Sequence, residues 1–215
     1  MNDLRLNLAE RISCTEAEGP GRRYALWVQG CPLRCPGCCN PGMLEDRVVA
    51  LFTVEDIKQE IVKAQLLHQI EGVTFIGGEP FAQAEALGML AEILRQSGLS
   101  VMVFSGFTYR QLSQSKDRGT QRLLAATDLL VSGPYVEDQK ISNLRWIGSA
   151  NQEVHFLSER YAELRDSESG WDEGENTIEI RLKGGEIFVN GFPDAHFNAL
   201  LRSKSKQNAL QETGK

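Results

Sequence analysis

The sequence has no run of 18 apolar residues, which excludes an ordinary transmembrane helix. Its opening segment, MNDLRLNLAERIS, carries charges throughout and holds no apolar h-region, so it does not read as a secretory signal. Positive charge is in short supply: 23 Lys and Arg stand against 29 Asp and Glu, for a net charge of −6. That balance gives no general affinity for nucleic acid and none for a membrane surface. Histidine is also scarce, and His68, His155 and His196 lie outside any short ligand spacing. Cysteine occurs five times, but only three fall in a spaced motif, and there is no second cluster. Closely spaced cysteines in a chain without a signal peptide read as metal ligands in a reduced, cytoplasmic compartment rather than as a disulfide framework.

The motif is Cys31-Pro32-Leu33-Arg34-Cys35-Pro36-Gly37-Cys38, a C-x3-C-x2-C loop following the apolar run Tyr24 to Val28. A structural zinc site takes four protein ligands, and an all-protein [4Fe–4S] cluster takes four thiolates. Three thiolates around a four-iron cube leave one iron open, and an open position marks a reactive metal site rather than a structural one. Zinc needs a fourth ligand that the sequence does not offer nearby, since Cys39 is adjacent to Cys38 and cannot easily turn to the same ion. A ferredoxin-like carrier or a zinc module therefore stays as the alternative of a different class. Cys14 and Cys39 read as structural or incidental.

The rest of the chain reads as alternating strands and helices. Tyr24 to Gln29, Gly72 to Ile76, Leu99 to Phe104 and Asp128 to Ser132 are short apolar runs of strand length. Thr53 is an N-cap with Asp56 three positions on, and Val54, Ile57, Ile61 and Ala64 mark one helical face. A second helix runs from Gln83 to Ser97 and stops at Gly98; Thr108 opens another with Gln111 in the capping-box position. Such alternation argues for an α/β fold with a parallel sheet. The cluster loop, Gly77-Gly78-Glu79-Pro80, Ser105-Gly106-Phe107 and Ser132-Gly133-Pro134 each follow a predicted strand, so they are expected to meet at one end of the sheet. Residues 161–215 differ. Thr177 to Leu182 alternates with period two, Gly184-Gly185 follows, and then Glu186 to Asn190, which predicts a β-hairpin over 177–190. A short helix is expected over 194–202, before a polar tail.

The cluster loop resembles that of the radical S-adenosylmethionine (SAM) enzymes. Gly19-Pro20-Gly21-Arg22-Arg23, Gly30-Cys31 and Cys38-Cys39-Asn40 resemble the signature of their radical-activating group. The likeness continues through Gly77 to Pro80 and Gly148-Ser149-Ala150-Asn151-Gln152, and so covers roughly residues 5–160. Trp27 stands where the family has Phe or Leu. The resemblance implies a partial (β/α)6 barrel for residues 1–160, with 161–215 as a hairpin/helix appendage. It implies a [4Fe–4S] cluster on Cys31, Cys35 and Cys38 that binds SAM through its amine and carboxylate. Gly77, Gly78, Glu79 and Pro80 would then hold the methionyl end, Glu79 by accepting from the ammonium. A hydroxyl at Ser105 suits the SAM carboxylate or, equally, a turn cap, and Asn151 falls on the cofactor side. Ser132 stands where relatives carry an Asp at a cation site. Arg22, Arg23 and Arg34 read as ordinary surface or as an edge for an acidic partner. The implied reaction is hydrogen abstraction from a glycine of a glycyl-radical enzyme such as an anaerobic ribonucleotide reductase, fed by a flavodoxin- or ferredoxin-type electron donor. Modification of a peptide or a small molecule is the alternative within the same chemistry.

Overall fold

The computed structural model describes residues 4–142, 144–167, 177–183 and 186–191. Nine strands are described: β1 (Arg5–Thr15), β2 (Arg23–Val28), β3 (Leu51–Thr53), β4 (Gly72–Gly77), β5 (Ser100–Ser105), β6 (Leu129–Ser132), β7 (Glu153–Phe156), β8 (Ile178–Lys183) and β9 (Glu186–Gly191). The helices are α1 (Val54–His68), α2 (Ala84–Gln96), α3 (Tyr109–Ser113), α4 (Arg118–Ala125) and α5 (Ala162–Arg165). Strands β1 to β7 form one sheet in the order β3-β1-β2-β4-β5-β6-β7. Its pairs β2/β4, β4/β5 and β5/β6 are parallel, and β7 runs antiparallel to β6.

The mixed α/β class agrees with the sequence, but the sheet does not close: β3 and β7 are its two ends. In place of six parallel strands the sheet has seven strands, of which β2, β4, β5 and β6 are mutually parallel, with β1 and β3 added by antiparallel pairing on one side and β7 on the other. The sequence reading missed both. Leu4, Leu6 and Leu8 alternate with Arg5 and Asn7, a period-two signal that was available in the segment examined only for its charge. Helix α4 was missed as well, although Asp117 caps it by accepting from the Thr120 N–H.

The helix starts follow the chemistry expected. Thr53 accepts from the Asp56 N–H and the Asp56 carboxylate accepts from the Thr53 N–H, a complete capping box, and Thr108 and Gln111 repeat it on α3. Helices α1, α2 and α4 bury one apolar stripe each, Ile57 and Ile61, Leu87, Leu90 and Leu94, and Leu123, against Leu26, Val73, Phe75, Val101 and Val103. The opposite face is also apolar, with Ala25 and Trp27 in one cluster and Met102, Val131 and Trp146 in another. Central strands buried on both faces explain why they read as continuous apolar runs.

Strands β8 and β9 pair antiparallel from Ile178↔Gly191 to Lys183↔Glu186. The hairpin is tied to the loop after β1: the Gly191 N–H donates to Glu18 (2.8 Å), Asn190 to Thr15 (3.1 Å), and the Glu16 N–H to Glu179 (2.7 Å). Gly184, Gly185 and the helix expected over 194–202 lie outside the described residues.

Candidate functional site

At the C-terminal end of β2 the chain turns at Gly30 into the cysteine loop. Here the loop after β4 fastens onto the strand exit. The Gly78 N–H donates to the Val28 carbonyl (2.8 Å) and the Glu79 N–H to the Gly30 carbonyl (2.9 Å). The glycines permit this contact. A Cβ on Gly78 would lie 2.2 Å from the Gly30 carbonyl oxygen, and one on Gly77 would lie 2.7–2.8 Å from the Trp27 and Val28 backbone. Gly77 also has φ +109°, which favours glycine. The sequence reading assigned these glycines to a ligand; in the structure their bareness lets two loops touch. Asn40 adds a third tie, from its side chain to the Gly77 carbonyl (3.5 Å).

Cys31, Cys35 and Cys38 are half-buried within one loop. Arg34 and Gly37 at φ +50° and +70° wrap the backbone between them. Cys38 accepts from the Asn40 N–H (3.4 Å), and a hydrogen bond from the Cys39 thiol pulls its own thiol down to about 6. The Cys39 thiol is pushed up, first by that bond to Cys38, then by burial and by the charges of Cys38 and Glu18. Burial raises Cys31, against the Leu33 and Arg34 N–H groups, which lower it. No three Cys, His, Asp or Glu side chains converge on a single metal ion among the described residues. Three free thiols on one wrapped loop are the donor type that an iron–sulfur cluster takes.

Glu79 is fully buried, and its carboxylate is occupied by the chain itself. It accepts from the Phe81 N–H (2.9 Å), the Ser105 hydroxyl (2.9 Å) and the Gly106 N–H (2.8 Å). Burial pushes its pKa up to about 7, while the three donors hold it back. A carboxylate has about four acceptor sites, so one remains. Pro80 opens the 3-10 turn that Glu79 caps. Ser105 ends β5, donates to Glu79 and accepts from the Phe107 N–H (3.1 Å), so it is a turn cap bonded to Glu79. Leu33 lies against Gly106, where a Cβ would meet its methyl at 2.3 Å, and covers this side of Glu79 from the cysteine loop.

The chain of loop contacts continues from Phe107, whose carbonyl accepts the Gly133 N–H (2.9 Å). Asn151 donates to the Pro134 carbonyl (2.7 Å), and its own buried oxygen has no partner. Gln152 accepts from the Gly148 and Ser149 N–H groups and donates to the Gly133 carbonyl. Asn151 thus joins the Gly133–Pro134 turn and not the Glu79 cluster. The four loops do share one end of the sheet.

The basic edge is reduced from three arginines to Arg34. Arg23 is at the other end of β2 and fully buried. Its guanidinium donates to Thr74, Ser100, Tyr161 and the carbonyls of Pro20 and Val73. Gly72 makes room for it, since a Cβ there would lie 2.7 Å from the guanidinium. Arg22 stands beside Arg23, its N–H donating to Glu71. Of the three arginines only Arg34 is both exposed and on the cysteine loop. Sequence reasoning missed Glu18, a second buried carboxylate, which burial pushes up to about 7 against the Gly191 N–H and the Asn190 amide. It also missed Glu137, which lies against Gly37 of the cysteine loop; nothing in its local pattern sets it apart.

Residues 17–155 match the family described as "4Fe-4S single cluster domain", and the chain belongs to that family of iron–sulfur proteins. Within it, the chain is a radical SAM protein of the radical-activating type, as its relatives show. It is 31% identical over 147 residues to an anaerobic ribonucleoside-triphosphate reductase-activating protein of Salmonella typhi, spanning 65% of this chain and 91% of that protein. Proteins of the same description from Vibrio cholerae (29% over 153 residues, 64% and 89%) and Enterobacteria phage T4 (28% over 153 residues, 69% and 93%) are also similar. The crystal structure of QueE from Escherichia coli is a partial likeness, with a TM-score of 0.41 at 21% identity over 48% of this chain and 54% of that one.

Proposed function

We propose that this protein is a SAM-cleaving oxidoreductase that installs a radical on a glycine of a partner, an anaerobic ribonucleotide reductase. The observation that supports the reading is the backbone contact of Gly78 with Val28 and of Glu79 with Gly30, which brings the loop after β4 to the start of the cysteine loop. Cys31, Cys35 and Cys38 hold the cluster. When bound, the cluster and SAM would, with one electron from a donor, supply the radical chemistry for hydrogen abstraction from the glycine, leaving methionine and 5′-deoxyadenosine. Gly77, Gly78 and Pro80 fix the loop that receives the methionyl end. Glu79 offers its remaining acceptor site to the ammonium, and charge-assisted bonds of this kind are the strong ones. Ser105 orients Glu79, and Asn151 holds the Gly133–Pro134 turn at the rim.

The names of the relatives supply the partner class. A flavodoxin- or ferredoxin-type donor would provide the electron. The five cysteines are free, which suits a reducing cytoplasm. No helix among the described residues is long and apolar enough to cross a membrane. The test is anaerobic reconstitution with iron and sulfide, then SAM, a reductant and the anaerobic ribonucleotide reductase of the same genome. A glycyl-radical doublet by electron paramagnetic resonance (EPR), with methionine and 5′-deoxyadenosine, is the expected result. SAM and cluster both bound but no 5′-deoxyadenosine would leave a binding module. Cleavage without a glycyl radical would point to a peptide or small-molecule substrate.

A further inference from the structure

The loop between β6 and β7 returns to the cysteine loop, and no role has been given to the residues it brings there. Gly37, between Cys35 and Cys38, is pressed by Glu137. A Cβ on Gly37 would lie 2.8 Å from the Glu137 carboxyl carbon and 3.0–3.1 Å from its oxygens. The Tyr135 phenol shares this neighbourhood: burial raises it first, followed by the charges of Glu137, Cys39 and Cys38.

The contact is held by design of the segment. The Val136 N–H donates to Ser149 (3.2 Å), the Ala150 N–H to the Gln139 carbonyl (2.8 Å), and Asn151 to the Pro134 carbonyl (2.7 Å). The Gly148–Gln152 motif is therefore the fastening that holds Glu137 against the cysteine loop.

We propose that Glu137 sets the reduction potential of the iron–sulfur cluster, holding it lower than the three-cysteine loop alone would give. The inference rests on the assignment of Cys31, Cys35 and Cys38 as cluster ligands. Reduction adds one electron to the cluster, and a carboxylate beside one of its ligands opposes added negative charge. Glu137 is exposed on its outer side, so the effect is screened but not abolished.

The experiment is a redox titration with dithionite, read by EPR, on reconstituted protein without SAM. Glu137→Gln should move the midpoint to a more positive value, and Glu137→Lys should move it further the same way. At the wild-type midpoint, the ratio of reduced to oxidised cluster should rise roughly twofold to tenfold for Glu137→Gln, the size expected of one screened unit charge. Raising the salt should shrink both shifts. Glu55→Gln, on the first turn of α1, removes an equal charge elsewhere and should leave the midpoint in place. A full iron complement with no graded shift, or with the same shift in Glu55→Gln, overturns the proposal. Failure of the wild type to assemble any cluster overturns the cysteine assignment, and the proposal with it.

Discussion

Replacing Glu79 by alanine tests the interior of the site most directly, and its effect should depend on pH. The carboxylate serves three donors, the N–H groups of Phe81 and Gly106 and the Ser105 hydroxyl. The hydroxyl can rotate to another acceptor, but the two amides cannot. An orphaned buried donor costs about 1–3 kcal/mol, so the loss is about 2–6 kcal/mol. Against this stands the burial of the carboxylate itself. Its pKa in the fold is about 7, raised from 4.5. A group raised in this way favours folding in its protonated form. The penalty on the ionised form is nearly absent at pH 4.5, grows as pH rises, and is complete above pH 7, where it reaches about 3 kcal/mol. Alanine removes that penalty. Glu79→Ala should therefore melt at least roughly 4 °C below wild type at pH 5, at about 2–4 °C per kcal/mol for a chain of this size. The deficit should shrink by about 3 kcal/mol at pH 8, and the two curves should converge or cross. Thermal unfolding of the cluster-free protein by circular dichroism measures both. An equal drop at both pH values would show that burial does not disfavour the charge. No drop at either would show that the two amides do not depend on Glu79.

Other outcomes follow from the same geometry. Cys31→Ala should lose the cluster, whereas Cys14→Ala and Cys39→Ala should keep it, by iron analysis and visible absorbance after reconstitution. Gly78→Ala sets a methyl on the Gly30 carbonyl and should cost both iron retention and SAM affinity, while Gly42→Ala, with no atom within 4 Å, should match wild type in both assays. SAM affinity by calorimetry should fall as pH drops below about 7, because protonated Glu79 is a poorer acceptor for the ammonium; Glu79→Gln should weaken binding and flatten that dependence. Arg34→Glu should slow partner activation more at low salt than at high salt, and Arg22→Glu, at the other end of β2, should not. Equal slowing by both would return Arg22 to the docking edge.

The parallel strands and the capped helices were legible because each rests on local chemistry: an apolar run, a Thr with its capping partner three residues on, a glycine stop. Strand β1 was legible in the alternation of Leu4, Leu6 and Leu8 but went unread, whereas β3 is three residues at the sheet edge, and such pairing is decided by what lies beside it. The three cysteines pointed to a metal by count and spacing, and the iron–sulfur class came from the family resemblance and the family match. The roles of Gly78 and Glu79 could not be read in the same way, since they depend on Gly30, Ser105 and Gly106, distant in sequence. Arg23 is the sharpest case. Two adjacent arginines near a cluster motif suggested surface charge, yet β2 carries Arg23 to the opposite end and buries it among Thr74, Ser100 and Tyr161. One-dimensional proximity to a motif says little about which end of a strand a side chain occupies.

The anchoring of the C-terminal hairpin bears on how the molecule is built over time. Gly191 meets Glu18 across 173 residues of sequence. A growing chain lengthens by about 5–20 residues per second, so every strand of the main sheet has emerged before this last tie can form. Glu18 therefore gains its buried partner only after Gly191 has been made. Until then the Glu18 carboxylate lacks the Gly191 N–H and the Asn190 amide that meet it in the fold, so the turn after β1 stays open to water through the making of the whole main sheet.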